Sequence, residues 1–159
     1  MDVDAAISRA LSAVGQGIRY KLGKGGMKPG SPTPAAAGQC DCTGFVSWCF
    51  GMSRHTPDAF YVAFNGGWIE TTAVWTDIGR SVGIFEQLDK PRRGAVVVFP
   101  DALGAQGHIG ILTSASKVIH CSKGNDTRTG DAIQETGLAV FNRPDVRYGW
   151  FVGLGPIGG

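Results

Sequence analysis

A chain of 159 residues, 43% of them hydrophobic, is long enough for one compact domain, residues 1–159, and too short for two comfortable ones. Its net charge of +2 is too small to argue for nucleic acid as a partner, and no apolar run approaches the length of a membrane span. Four cysteines at this length do not make a disulfide scaffold, and the 25 glycines are scattered, which excludes collagen-like and repetitive readings.

In chain order, Val3, Ile7, Leu11, Val14 and Ile18 recur at three- and four-residue steps and predict an amphipathic helix that ends near Gly15 and Gly17. Asp2 and Asp4 stand where a signal peptide carries its basic region, and no apolar block follows. Export would then depend on lysis or on a dedicated secretion system. Residues 20–39, "YKLGKGGMKPGSPTPAAAGQ", read as a Gly- and Pro-rich loop. Asp41 reads as the N-cap of a short helix over residues 42 to about 52.

Residues 53–90 carry no secure pattern; "WIETTAVWTDIGR" fits a short helix or a turn-rich excursion. Strands follow at "GAVVVF" (94–99), "HIGILT" (108–113), "KVIHCS" (117–122), "LAVF" (138–141) and "GWFVGL" (149–154). The closing "GPIGG" reads as a tail. Helices first and strands in series afterwards indicate an α+β fold.

Three of the four cysteines lie in "CDCTGFVSWC", residues 40–49. Two thiolates on one zinc stand roughly 4 Å apart, whereas two turns of helix separate Cys42 from Cys49 by about 10 Å. Cys40, Cys42 and the pair His120–Cys121 match none of the usual paired ligand spacings. Cys40, Cys49 and Cys121 are read as small buried hydrophobes. Cys42 differs, because free N–H groups and the positive helix end at a first turn favour thiolate, the nucleophilic form.

A nucleophile needs a base. Of the three histidines, His55 falls in "SRHTP", which reads as an exposed turn. A hairpin centred on Ala115 would place His108, Gly110, His120 and Ser122 on one face, with the two rings on diagonal sites and Gly110 leaving room between them. Cys42 would attack, His108 would take its proton, and His120 would orient His108. The alternative is two histidines satisfied separately on a sheet.

At these residues the sequence resembles the NlpC-type cell-wall cysteine peptidases, a papain-like family. Asp41-Cys42-Thr43-Gly44-Phe45 resembles the family's Asp-Cys-Ser-Gly-Phe nucleophile motif, with Thr for Ser. "RGAVVVF" resembles its Gly-Asp strand start with Ala95 for Asp, and Gly107-His108-Ile109-Gly110-Ile111 resembles its Gly-His-Val-Gly-Ile. Ile119-His120-Cys121 resembles the strand bearing its third polar residue, and "YKLGKGG" puts Tyr20 at the family's tyrosine. These blocks occur in family order over residues 20–122.

The resemblance implies a papain-like α+β fold, its N-terminal helices including a nucleophile helix packed on an antiparallel sheet of about five to six strands. It implies a peptidoglycan hydrolase, a cysteine endopeptidase cutting the stem peptide between D-glutamate and a diamino acid through a thioester, with no metal and no cofactor. Catalysis would fall to Cys42, His108 and His120. Tyr20 would serve near the oxyanion. Asp41 and Thr43 would lie near the substrate's free amine, a role for Asp41 compatible with plain helix capping. Trp68 and Glu70 are candidate groove-wall residues.

The partner would be the peptidoglycan stem peptide, met in the periplasm or outside the cell, as by an endolysin or a secreted effector; an immunity or inhibitor protein is left unassigned. The same site would suit an N-acetylmuramoyl-L-alanine amidase or an acyl transferase. A catalytically silent wall-binding module is the contrasting reading.

Overall fold

The computed structural model describes residues 1–158. Helix α1 (Val3–Ala13) starts where the Asp2 carboxylate accepts the Ala5 N–H at 2.8 Å. Its buried face is Ala6, Ile7, Ala10 and Ala13, rotated from the expected stripe, and Leu11 is 50% exposed. The alanines are the reason: three small side chains let α1 lie close against the next helix, and Leu11 falls outside that contact. Strands β1 (Arg19–Tyr20) and β2 (Gln39–Cys40) form a short parallel pair that closes the Gly- and Pro-rich loop between them.

Helix α2 (Cys42–Cys49) is buried on every side, as the near-continuous apolar run "CTGFVSWC" requires. It rests on the sheet on one side and on α1 on the other. Burying Phe45 alone stabilises the fold by about 1.5–3 kcal/mol. Glycine is obligatory at its first turn. A Cβ on Gly44 would stand 2.8 Å from the Gly25 carbonyl oxygen, and one on Gly26 would stand 2.4 Å from the Gly44 carbonyl oxygen. The glycines of "YKLGKGG" and of "DCTGF" are thus two halves of one backbone contact.

The segment without a secure pattern holds three elements: α3 (Ala59–Asn65), α4 (Thr71–Arg80) and strand β3 (Phe85–Leu88). The helical alternative for "WIETTAVWTDIGR" is the correct one, with Glu70 as N-cap accepting from Ala73 N and Thr72 N. Asp77 is fully buried and accepts from the N–H groups of Gly83, Ile84 and Phe85 and from the Tyr61 hydroxyl, which fixes the turn into β3.

Strands β4 (Val96–Phe99), β5 (His108–Ser114) and β6 (Lys117–Cys121) follow, then α5 (Lys123–Thr129), β7 (Ile133–Gly137) and β8 (Arg147–Phe151). They complete a six-stranded antiparallel sheet of order β3-β8-β4-β5-β6-β7. The expected strand at "LAVF" is instead a 3-10 turn, Ala139–Phe141, and the strand before it is the more polar "IQETG". An edge strand needs only one apolar side, so β7 lacked the continuous apolar signal. "GWFVGL" is a strand only as far as Phe151; Val152–Leu154 turns as a 3-10 helix.

The β5–β6 hairpin keeps the expected register, with Ile111 opposite Ile119 and Leu112 opposite Val118, and takes a bulge between Leu112 and Ser114 beside the turn. Gly110 is as tight as the histidine geometry demands: a Cβ there would meet Val118 Cγ2 at 2.4 Å and His120 Cβ at 3.0 Å. Five helices and this sheet, among the described residues, make the papain-like α+β fold, with α2 packed on β5 and β6.

Candidate active site

Asp41 caps α2 by accepting the Gly44 N–H at 2.9 Å, which sets Cys42 as the first residue of the helix. The sulfur lies in the core's outer layer, with Cys42 6% exposed. The backbone N–H of Ile109, one residue along β5 from His108, favours its thiolate. Burial outweighs that help. It pushes the Cys42 thiol up to about 12, with the Asp41 charge adding to the effect. A helix-start position alone therefore does not give a resting thiolate here.

The two histidines meet as the hairpin register requires. His108 Nε2 and His120 Nδ1 are 2.7 Å apart. The pair continues into a residue the sequence did not single out: His120 Nε2 is 2.8 Å from Thr136 Oγ1. Thr136 sits on β7 opposite Val118, one diagonal step from His120.

With the Thr136 hydroxyl donating to the Gly137 carbonyl at 2.8 Å, its oxygen accepts from His120 Nε2–H. His120 Nδ1 is then an acceptor, and His108 Nε2 must donate to it. The lone pair left over is on His108 Nδ1, free to take a proton. In this arrangement three bonds leave Nδ1 as the basic nitrogen of His108.

Burial pushes the His108 imidazole down to about 3, with His120 contributing, and pushes His120 down to about 4, with Arg128 contributing. All three shifts favour the neutral forms, thiol and imidazole alike. Phe141 stacks on His108 with ring centroids 5.3 Å apart and 14° between planes, and meets His120 edge-on. The turn that replaced the expected fourth strand thus serves as a wall that holds both rings.

A second group was missed. Arg54, in the unread segment, is buried and forks onto Asp41: Nη1 donates to Oδ1 and Nη2 to Oδ2, each at 2.9 Å. Nη1 also reaches the carbonyls of Lys24 and Gly25, and Nη2 reaches Thr43 Oγ1. Gly23 N–H and Gly44 N–H fill the rest of the carboxylate. Asp41 is 1% exposed and its lone pairs are taken, so an amine from a substrate finds no acceptor there. One signal was available in the sequence: an N-cap aspartate on a wholly apolar helix must be buried, and a buried carboxylate needs a cation.

Tyr20, Asp41, Cys42 and Thr43 line one cavity, of about 190 Å³, together with Glu70. Burial and the nearby Cys42 raise the Tyr20 phenol, which stays protonated, and its hydroxyl is 3.4 Å from Gln106 Oε1. Trp68 stands outside that lining. It is 45% exposed and its ring lies against His55, 4.8 Å between centroids.

Cys40, Cys49 and Cys121 are fully buried free thiols. Among the described residues no group of three or more His, Cys, Asp or Glu side chains is placed to hold a metal ion, and no helix is long and apolar enough to cross a membrane.

A papain-like sheet that carries a linked histidine pair beside a cysteine-headed helix is the architecture of the NlpC-type cell-wall peptidases. The chain belongs to the CHAP domain family, whose pattern matches residues 30–125. Three solved structures are similar to it. The NlpC/p60 domain of the peptidoglycan hydrolase SagA shares 16% identity, with 94% of this chain and 98% of that chain covered and a TM-score of 0.50. The P60 domain of the M. avium subspecies paratuberculosis antigen MAP1204 shares 17%, with 93% of each chain covered and a TM-score of 0.54.

RipD from Mycobacterium tuberculosis, a non-catalytic NlpC/p60 domain protein adapted to peptidoglycan binding, shares 15%, with 94% and 96% covered and a TM-score of 0.51. At these identities the likeness speaks for the fold alone. Among curated proteins no match is found.

Proposed function

We propose that this protein is a peptidoglycan hydrolase, a cysteine endopeptidase that cuts the stem peptide between D-glutamate and the diamino acid. The observation that carries the proposal is the directed chain from Thr136 through His120 to His108, which leaves one basic nitrogen, His108 Nδ1, free. A wall-binding module has no use for a histidine whose tautomer is set by two further residues.

The reaction follows from the groups in place. Cys42 Sγ attacks the amide carbonyl as its proton passes to His108 Nδ1. The imidazolium that forms keeps its Nε2–H on His120 Nδ1, which offers a hydrogen bond but no countercharge. Free N–H groups at the start of α2 and the Tyr20 hydroxyl stabilise the oxyanion. Collapse breaks the C–N bond, and His108 returns the proton to the leaving amine. Water then attacks the thioester with His108 as base, releasing the carboxylic acid and restoring the thiol.

We extend the catalytic domain to the whole chain, because α1 packs on α2 and β8 lies inside the sheet between β3 and β4. Peptidoglycan lies outside the cytoplasmic membrane, and the place of action follows from that.

Digestion of purified sacculi followed by mass spectrometry of the fragments tests the reading. Endopeptidase activity gives a new free amine on the diamino acid. An N-acetylmuramoyl-L-alanine amidase would instead release unmodified stems from the glycan, an outcome within reach because peptidases and amidases share this family and this chemistry. Binding to sacculi without any fragment would leave the silent-module reading standing and end ours.

Thr136 acts through His120 as a positioning residue. Thr136→Val leaves the His120 Nε2–H without an acceptor and frees the tautomers of both rings. Leaving a buried donor unsatisfied costs about 1–3 kcal/mol, so kcat should fall about ten- to hundredfold. Thr136→Ser keeps the hydroxyl and should restore most of the rate. Equal kcat for the Val variant and the wild type, at matched Tm, would show that the tautomer needs no such anchor.

A further inference from the structure

Two cavities flank the reacting groups, and they differ in charge. The first has Cys42 in its lining and not His108. The second, of about 310 Å³, has His108 and not Cys42. Tyr20, Gln106 and Gly107 belong to both, so the two are neighbouring lengths of one groove.

Chemistry assigns the halves of the substrate to them. The sulfur bonds to the acyl carbon, so the acyl half lies on the cysteine side. The histidine hands its proton to the leaving nitrogen, so the amine half lies on the histidine side.

The charges then matter. On the histidine side the charged groups are Lys123 and Arg128, both exposed on α5, and no carboxylate lines the cavity among the described residues. The acid that α5 does carry, Asp126, is paired with Arg19. Arg128 is held in place, with Nη2 donating to Asn125 Oδ1 at 2.7 Å. Asn125 is itself locked, since its amide donates to the carbonyls of His120 and Ala132. The remaining N–H groups of Arg128 have no partner among the described residues. The cysteine side has the opposite balance: the buried Asp41–Arg54 pair cancels itself, and Glu70 and Asp101 remain.

Resting on the hydrolase reading above, we infer that the leaving half of the substrate carries a carboxylate and that Lys123 and Arg128 bind it. An ammonium presented there would meet two like charges. The inference holds for either bond, since the amine released by endopeptidase or by amidase cleavage belongs to a stem fragment that bears carboxylates.

The test compares two synthetic disaccharide tripeptides whose third residue is meso-diaminopimelate. One has free stem carboxylates; in the other every stem carboxylate is a carboxamide. Wild-type enzyme should favour the free acid by about ten- to hundredfold in kcat/KM, the difference lying in KM, as the loss of charge-assisted hydrogen bonds implies. The double variant Lys123→Gln/Arg128→Gln should lose that preference, and added salt should erode it in the wild type. Arg128→Gln gives up the hydrogen bond to the buried Asn125 Oδ1, so Lys123→Gln alone, at an exposed side chain, should lose part of the preference at an unchanged Tm.

Cleavage of the two peptides within about twofold by the wild type, or a preference undiminished in the double variant, overturns the carboxylate site and leaves the hydrolase reading intact. Cleavage of neither peptide by the wild type overturns both.

Discussion

Replacing Cys42 by Ala should reduce hydrolysis of sacculi by about four orders of magnitude or more while leaving wall binding and the far-UV spectrum in place. The size follows from the role: without the sulfur no thioester forms, and only positioning of water against the carbonyl remains. His108→Ala should cost nearly as much, and the double variant no more than either single one, because the two groups serve one step. Additive losses would mean that they do not work together.

The wild-type enzyme offers a companion measurement. His108 is held near 3 by burial, so the base is already deprotonated, and usable, above that value. Going down in pH, protonation of the base should set in only close to its folded value. Accordingly kcat/KM should stay level from pH 8 to about 5, with no fall through the ordinary imidazole value of about 6.5. An acid limb centred between about pH 6 and 7 would contradict the buried neutral base.

The second large effect concerns stability. Arg54→Met removes the cation that faces Asp41 and leaves a carboxylate with about 1% exposure and no countercharge. Breaking a buried pair from one side costs about 3–5 kcal/mol. For a chain of this size that corresponds to a fall in Tm of about 6–20 °C, readable by calorimetry.

Arg54→Lys should recover only part, because a single ammonium cannot fork onto both oxygens while holding the carbonyls of Lys24 and Gly25. Asp41→Asn combined with Arg54→Met should be less destabilised than Arg54→Met alone, since no bare charge is left. A Tm unchanged by Arg54→Met would show that solvent reaches the carboxylate after all.

Much of the site was legible because it is built from local rules. An N-cap aspartate before an apolar run places Cys42 at a helix start, and a short hairpin with Gly110 opposite a histidine places both imidazoles on one face. The rest was hidden because its signals are long-range. Arg54 is one arginine in a turn-rich stretch until the fold folds it back onto Asp41. Thr136 is a polar residue on an edge strand, and only the register between β6 and β7 brings it to His120.

Phe141 misled in the other direction. An apolar run of four reads as a strand, but its job is to lay one ring against His108, which a turn does and a strand would not. The face of α1 was displaced because periodicity counts large side chains, whereas close helix packing selected alanines.

The helix that carries the sulfur has no solvent side. Shifting it would unpack buried apolar side chains, so sliding Cys42 aside is a costly way to switch the proposed nucleophile off. Freedom to vary is confined to the rim, where Glu70, Asp101 and Lys123 hang from separate segments around an immovable centre. New substrates should accordingly be acquired by exchanging these outlying segments one at a time, with the reacting atoms left as they are.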